Sequence, residues 1–407
     1  MDHIGARIRL ARDKSGKPQR VIADACGMSI EWLRRIESGR GSAVVHECHV
    51  PILAETLGVT RDWLLGVSDE GGPVRRRDFL RAAGTVAVAG ALVPVQRLLP
   101  TNRSAAAASV IELSDVNPIE HLARVRAVLV DADNLLGPHH AIPQVVQHID
   151  LIQRLRATRS GADSIELLRM RARFAEFAGW LYQDAGDAEE ARRWLDRALE
   201  WAHAVGDTEM ATYILARKSQ LAGDVCDTMA AIDCAAAARH LAQPGSRLHA
   251  LALTYGAHGE ALAGRNAECL RALDNAQELL ATMELDPNAR WAPWLDAGYV
   301  DVHRAQSFTH LGVPQRGIGL FQAAIRDLPP SFRRDRGVYL AREALAHAVS
   351  REPEQAAQVG TLALTIAAET QSGRIGSELG RLHAALYEWR AVPMVSEFHG
   401  RIAEMAS

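Results

Sequence analysis

The sequence predicts an all-α chain: a small module of short helices at the front, followed by a long array of paired helices. Three observations carry this. Apolar residues recur at helical spacing almost everywhere, strand-type alternation is nearly absent, and one pattern of small and aromatic residues recurs through the second half of the chain, mostly at an interval of 39 residues. At 407 residues and 48% hydrophobic, the chain is long enough for two or more packed domains.

The front module is read helix by helix. "IGARIRLAR" (4–12) sets Ile4, Ile8 and Ala11 on one face and Arg7, Arg9 and Arg12 on the others. "GKP" breaks that helix, and Pro18 opens a second one from Gln19 to about Cys26, with Gly27 suited to its end. Ser29 is placed to cap a third helix that stops at Gly39. In it Leu33 and Ile36 share the buried side, while Glu31 and Arg35 lie four apart on the opposite side, with Ile30, Arg34 and Ser38 at the margins. Helices two and three spell a helix-turn-helix.

The residues Gln19, Ala23, Gly27, Ser29, Leu33, Ile36, Glu37 and Gly39, with "HVPILAETLGVTRDWLLG" at 49–66, resemble the Cro/repressor-type (XRE-like) helix-turn-helix domains over residues 4–66. The resemblance implies a five-helix, lambda-repressor-like fold whose third helix enters the major groove of double-stranded DNA. Carried over by position, it implies phosphate contacts from Gln19 and Ser29, base contacts from Ile30, Glu31 and Arg35, and backbone contacts from Arg34 and Arg40. The chemistry agrees, since a guanidinium can pair with guanine, a carboxylate can accept from cytosine, and an apolar branch can touch a thymine methyl. The resemblance also casts Arg12 and Glu37 as an ion pair joining helices one and three. Trp32 is read as a packing residue.

Charge follows this division: net +2 over residues 1–66, +1 over 67–115 and −6 over the remainder. The 67–115 stretch is read as a linker with an apolar helix at 79–93, whose "RRRDFL" opening imitates a twin-arginine signal. Its 14-residue apolar run is too short for a membrane span. Five widely spaced cysteines without a CxxC pair are read as reduced thiols of a cytoplasmic protein, and "HECH" (46–49) lacks the second ligand cluster of a zinc site. The 43 arginines against 3 lysines suggest a GC-rich genome.

In the body, "GWLYQDAGDAEEARRWLDRALEWA" (179–202) puts Gly179, Tyr182, Gly186, Ala191, Leu195 and Ala198 at the positions that mark a tetratricopeptide (TPR) repeat. The frame recurs at Gly264, Cys269, Leu273 and Ala276, and again at Phe308, Gly312, Gly317, Phe321 and Ala324. Five repeats are expected near residues 172, 211, 250, 298 and 337 of a TPR-like domain spanning 116–407, preceded by helices at 118–136 and 141–158 and closed by a helical cap at 375–405. The resemblance implies a curved α-solenoid with the first helix of each pair on the concave side. That frame nominates Arg173, Glu176, Trp180, Gln183, Ser219, Thr254, His258, Tyr299, Gln306, His310 and Arg342 as a lining for a small molecule or peptide.

No HExxH, GxSxG, Walker or GxGxxG signature is present, so neither enzymatic activity nor a cofactor or metal is expected. A helix-turn-helix ahead of such an array resembles, in architecture, the peptide-sensing transcription regulators of Gram-positive bacteria. That implies a homodimeric, ligand-responsive DNA-binding regulator without a membrane partner. The alternative is an adaptor whose array recruits a protein and whose helix-turn-helix acts as a tether.

Overall fold

The computed structural model describes residues 4–26, 28–38, 45, 49–65, 117–283 and 290–406. Arg40, the 46–48 portion of "HECH" and the 67–115 linker lie outside them. The described residues are all-helical, with no strand.

Five short helices form the front module: α1 (Ile4–Ser15), α2 (Gln19–Ala25), α3 (Ile30–Ser38), α4 (His49–Leu57) and α5 (Arg61–Leu65). Their apolar faces meet in one core, in which Ile8, Ile22, Leu33, Leu53 and Leu64 are fully buried. Trp32 also packs there, edge-on to His49 with ring centroids 5.6 Å apart. The α3 N-terminus forms as its sequence predicts, with the Ser29 hydroxyl accepting from the Trp32 N–H at 3.1 Å.

The body begins with α6 (Pro118–Leu136) and α7 (Pro138–Ala157). Five helix pairs follow: α8 (Gly161–Asp184) with α9 (Ala188–Ala204), α10 (Thr208–Asp224) with α11 (Thr228–Leu241), α12 (Arg247–Leu262) with α13 (Asn266–Ala281), α14 (Ala297–His310) with α15 (Gln315–Asp327), and α16 (Arg333–Val349) with α17 (Pro353–Thr370). The chain ends with α18 (Gly373–Ala385) and α19 (Pro393–Ala406). α8 starts eleven residues before the expected repeat boundary and runs for 24 residues.

The turns follow local chemistry. Asp187, Asp207 and Asp227 each cap the next helix by accepting from the N–H three residues on. The preceding Gly186 and Gly206 adopt φ values of +87° and +66°, which a side chain disfavours.

The second helices bury one stripe each, whereas the first helices of the pairs bury most of their circumference. The reason is that the array closes on itself. α18 packs against α8, and Gly373 lies so near the Gly186 backbone that an added Cβ would stand 2.5 Å from its nitrogen. Arg334 of α16 reaches back to α6 and α8, where Asp133 binds it twice, at 2.7 and 2.8 Å, and Asp184 binds it once. Ser372 donates to Asp184 at 2.8 Å. The face expected to be an open concave groove is therefore largely a packed interior.

Candidate DNA-reading helix and ligand cavity

α3 is held from behind by charge. Glu37, buried against α1, accepts from Arg12 at 2.6 and 3.1 Å and from Gln19 at 2.6 Å. The Glu37 hydrogen bond raises the Arg12 pKa above its ordinary value. Gln19 in turn accepts from Arg34 Nε at 3.4 Å. This network fixes α3 on α1 and α2 and leaves its outer face to polar residues. Glu37→Ala removes three acceptor contacts from two donors and is expected to cost about 2 kcal/mol of domain stability. Urea unfolding followed by tryptophan fluorescence measures it.

On the outer face, Glu31 and Arg34 are well exposed, with side chains 70% and 58% accessible and 3.6 Å between their charged atoms. Ile30 is half-buried beside them. Arg35 is exposed as well, but it and the half-buried Ser29 also touch the helical array. The Ser29 N–H donates to the carbonyl of Ala263, 3.0 Å away at the end of α12, and Arg35 Nη1 lies 3.4 Å from the carbonyl of Leu311 at the end of α14. So the structure brings Gln19, Ser29, Ile30, Glu31, Arg34 and Arg35 together around one helix, and it sets two of them against the chain's own array.

The residues nominated for the array divide into three groups. Ser219 and Thr254 are fully buried with their hydroxyls bonded to the carbonyls of Ala231 and Ala250, so they serve helix packing. Glu176, Gln183, Arg342, His258, Gln306 and His310 are buried in the polar interior. There Arg217 lies 3.7 Å from Glu176 and Arg342 lies 2.7 Å from Glu378, while His258 and His310 stack at 5.1 Å. The guanidiniums of Arg217 and Arg374 lie over the Trp180 ring, 4.6 and 4.7 Å from its centroid. Tyr299 hydroxyl meets Tyr255 hydroxyl at 3.0 Å. A residual cleft of about 60 Å³ lies beside Gln183, Asp224 and Arg342.

Arg173 alone of these lines a sizeable cavity, of about 730 Å³, with Ile119, Arg169, Met170, Asp207, Glu209 and Arg290 among its walls. Arg290 is 3.0 Å from Asp207, and Arg169 is 3.9 Å from the same carboxylate. Arg173 has no ion pair among the described residues and faces Trp291 at 5.8 Å. Burial, then the neighbouring Arg290 and Arg126, lower its pKa. The repeat frame missed Arg169 and Arg290: Arg169 precedes the expected first repeat, and Arg290 belongs to an inter-repeat loop.

Compared with known families, residues 3–64 match the model of a helix-turn-helix domain. The front module is thus a helix-turn-helix DNA-binding domain, in agreement with its five-helix geometry. A comparison with curated proteins finds no match to this chain. No helix among the described residues is long and apolar enough to cross a membrane.

Proposed function

We propose that the chain is a sequence-specific transcription regulator of the XRE type that reads a two-fold operator as a homodimer, while its TPR-like array senses a small molecule or short peptide. The observation that carries this reading is α3, a rigidly braced helix whose outer side presents Glu31, Arg34 and Arg35 in a domain of the helix-turn-helix family. A carboxylate and a guanidinium a turn apart can distinguish cytosine from guanine at neighbouring base pairs.

Selection of bound duplexes from a random pool by the full-length chain should enrich one motif. Glu31→Ala should relax one position of it, at about 1–3 kcal/mol of lost discrimination. Enrichment of no motif would remove the sequence-specific reading.

The effector is assigned to the 730 Å³ cavity, a volume suited to a drug-sized ligand. Arg173, which has no ion pair among the described residues, offers a guanidinium for a carboxylate, and Ile119 and Met170 offer apolar walls. Native mass spectrometry of the purified chain should show a bound organic acid or peptide that Arg173→Glu releases. Retention of the same adduct by that variant would place the effector elsewhere.

A further inference from the structure

We infer that the helical array masks the DNA-reading helix of its own chain, by presenting to it backbone carbonyls in the place where DNA presents phosphates. The inference rests on the DNA-binding reading of α3. Ala263 and Leu311, whose carbonyls engage Ser29 and Arg35, are the C-terminal cap residues of α12 and α14, the first helices of consecutive pairs. Carbonyls at a helix C-terminus have no partner within the helix and carry the negative end of its dipole. The Ala263 carbonyl meets the N-terminus of α3, where free N–H groups and the positive dipole end favour anions, and the Leu311 carbonyl meets the guanidinium of Arg35 in its last turn. A phosphate and a helix C-terminus thus offer the same chemistry to the same donors.

The fit is also steric. Gly264, with φ of +70°, comes so close that an added Cβ would lie 2.8 Å from Ser29 Oγ and 3.0 Å from Trp32 Cβ. The turn fits beneath α3 because this residue has no side chain. The Ser29 N–H cannot donate to Ala263 and to a phosphate at once, and the N-terminal half of α3 cannot lie both on the array and in a major groove. Docked and DNA-bound states therefore exclude each other. The apparent affinity for DNA is the intrinsic one reduced by the undocked fraction.

The test uses two substitutions of the same kind in the full-length chain. Gly264→Asn keeps a residue that tolerates positive φ but drives its side chain into Ser29 and Trp32. Gly245→Asn makes the same change in another turn of the array, at φ of +78° with nothing within 4 Å of the added Cβ. Hydrogen exchange should accelerate across 28–36 in Gly264→Asn and stay unchanged in Gly245→Asn. On a random-sequence duplex at low salt, fluorescence anisotropy should show Gly264→Asn binding about tenfold more tightly than the parent and Gly245→Asn like the parent.

Released exchange without tighter binding would overturn the masking, as would unchanged exchange. If α3 is released and no duplex binds at all, DNA recognition itself fails. A second measurement does without substitutions: adding duplex to the parent chain should accelerate exchange around the turns at 262–265 and 310–313. Binding that leaves both turns unchanged would also overturn the masking.

Discussion

Arg334→Ala is expected to lower the stability of the array by about 3–5 kcal/mol, the cost of leaving buried carboxylates without their cation. Asp133 and Asp184 are 1% and 0% exposed, and Arg334 itself is 8% exposed. Its guanidinium binds Asp133 in the two-bond geometry that makes arginine–carboxylate pairs strong, and it adds bonds to Asp184 and to Asn134. Removing it leaves Asp133 facing Arg334's vacated place, while Asp184 keeps Ser372 at 2.8 Å and Arg374 at 3.9 Å.

The position matters more than the pair. In an open array of repeats, each unit contacts only its neighbours and the ends unfold independently. Arg334 links residues 201 positions apart in sequence, from the last helix pair to the first helix of the body. With the link broken, α18 and α8 should part more easily, so urea unfolding of Arg334→Ala should lose cooperativity as well as midpoint. Pairing Arg334→Met with Asp133→Leu should recover part of the loss, because an apolar pair of similar volume carries no stranded charge. A loss below about 1 kcal/mol in Arg334→Ala would mean that closure does not depend on this site.

What could be read in the sequence was what depends on near neighbours. The register of α3 follows from the 3.6-residue period, so Leu33 and Ile36 are buried, and Glu31 and Arg35 exposed, as expected. Its cap at Ser29 and the Arg12–Glu37 pair formed as well. The repeat frame located the first helices and their inner faces, but not that those faces would be packed. Closure depends on Arg334, Asp133 and Asp184, which as single polar residues on helices look like any solvated position. The docking of α3 was illegible for a stronger reason. Its acceptors are the main-chain carbonyls of Ala263 and Leu311, and backbone groups leave no mark in a residue pattern.

Closure also makes the array sensitive to acid through its histidines. Unfolding stability should fall steeply between pH 6.5 and 5. His303 is buried between the rings of Tyr255 and Tyr299, with centroids 5.4 and 4.8 Å away. Burial, followed by the charges of Arg342 and Arg374, pushes its pKa down to about 3. Burial likewise lowers His258 and His310 well below their ordinary value, and in the front module it takes His49 down to about 4. Gln306 Nε2, an amide donor, lies 3.3 Å from His258 Nε2, a bond that needs that ring nitrogen unprotonated, and His310 Nε2 lies 3.3 Å from the same atom.

The sign follows from proton binding. Below pH 6.5 the unfolded histidines take up protons that the folded ones refuse, so stability falls with pH down to each folded pKa. The slope is about 1.4 kcal/mol per pH unit for each such group. His303 alone thus accounts for about 2 kcal/mol by pH 5. Glu378, held down to about 2 by Arg381 and Arg342 against its burial, loses its contribution only below about pH 4.5 and does not enter this window. His347 acts in the opposite sense, since its hydrogen bond with Glu343 raises its pKa; its contribution is complete below 6.5 and fades only as pH rises.

His303→Phe separates the effect from general acid unfolding. A phenyl ring fits between the two tyrosines, and His303 Nδ1 has no hydrogen bond among the described residues to lose. At pH 8 the variant should match the parent within about 1 kcal/mol. From pH 6.5 to 5 its urea midpoint should fall less steeply, by the slope of one proton. An identical pH profile in parent and variant would show that His303 is protonated as readily in the folded chain as outside it, and that the interior is wetter than its packing implies.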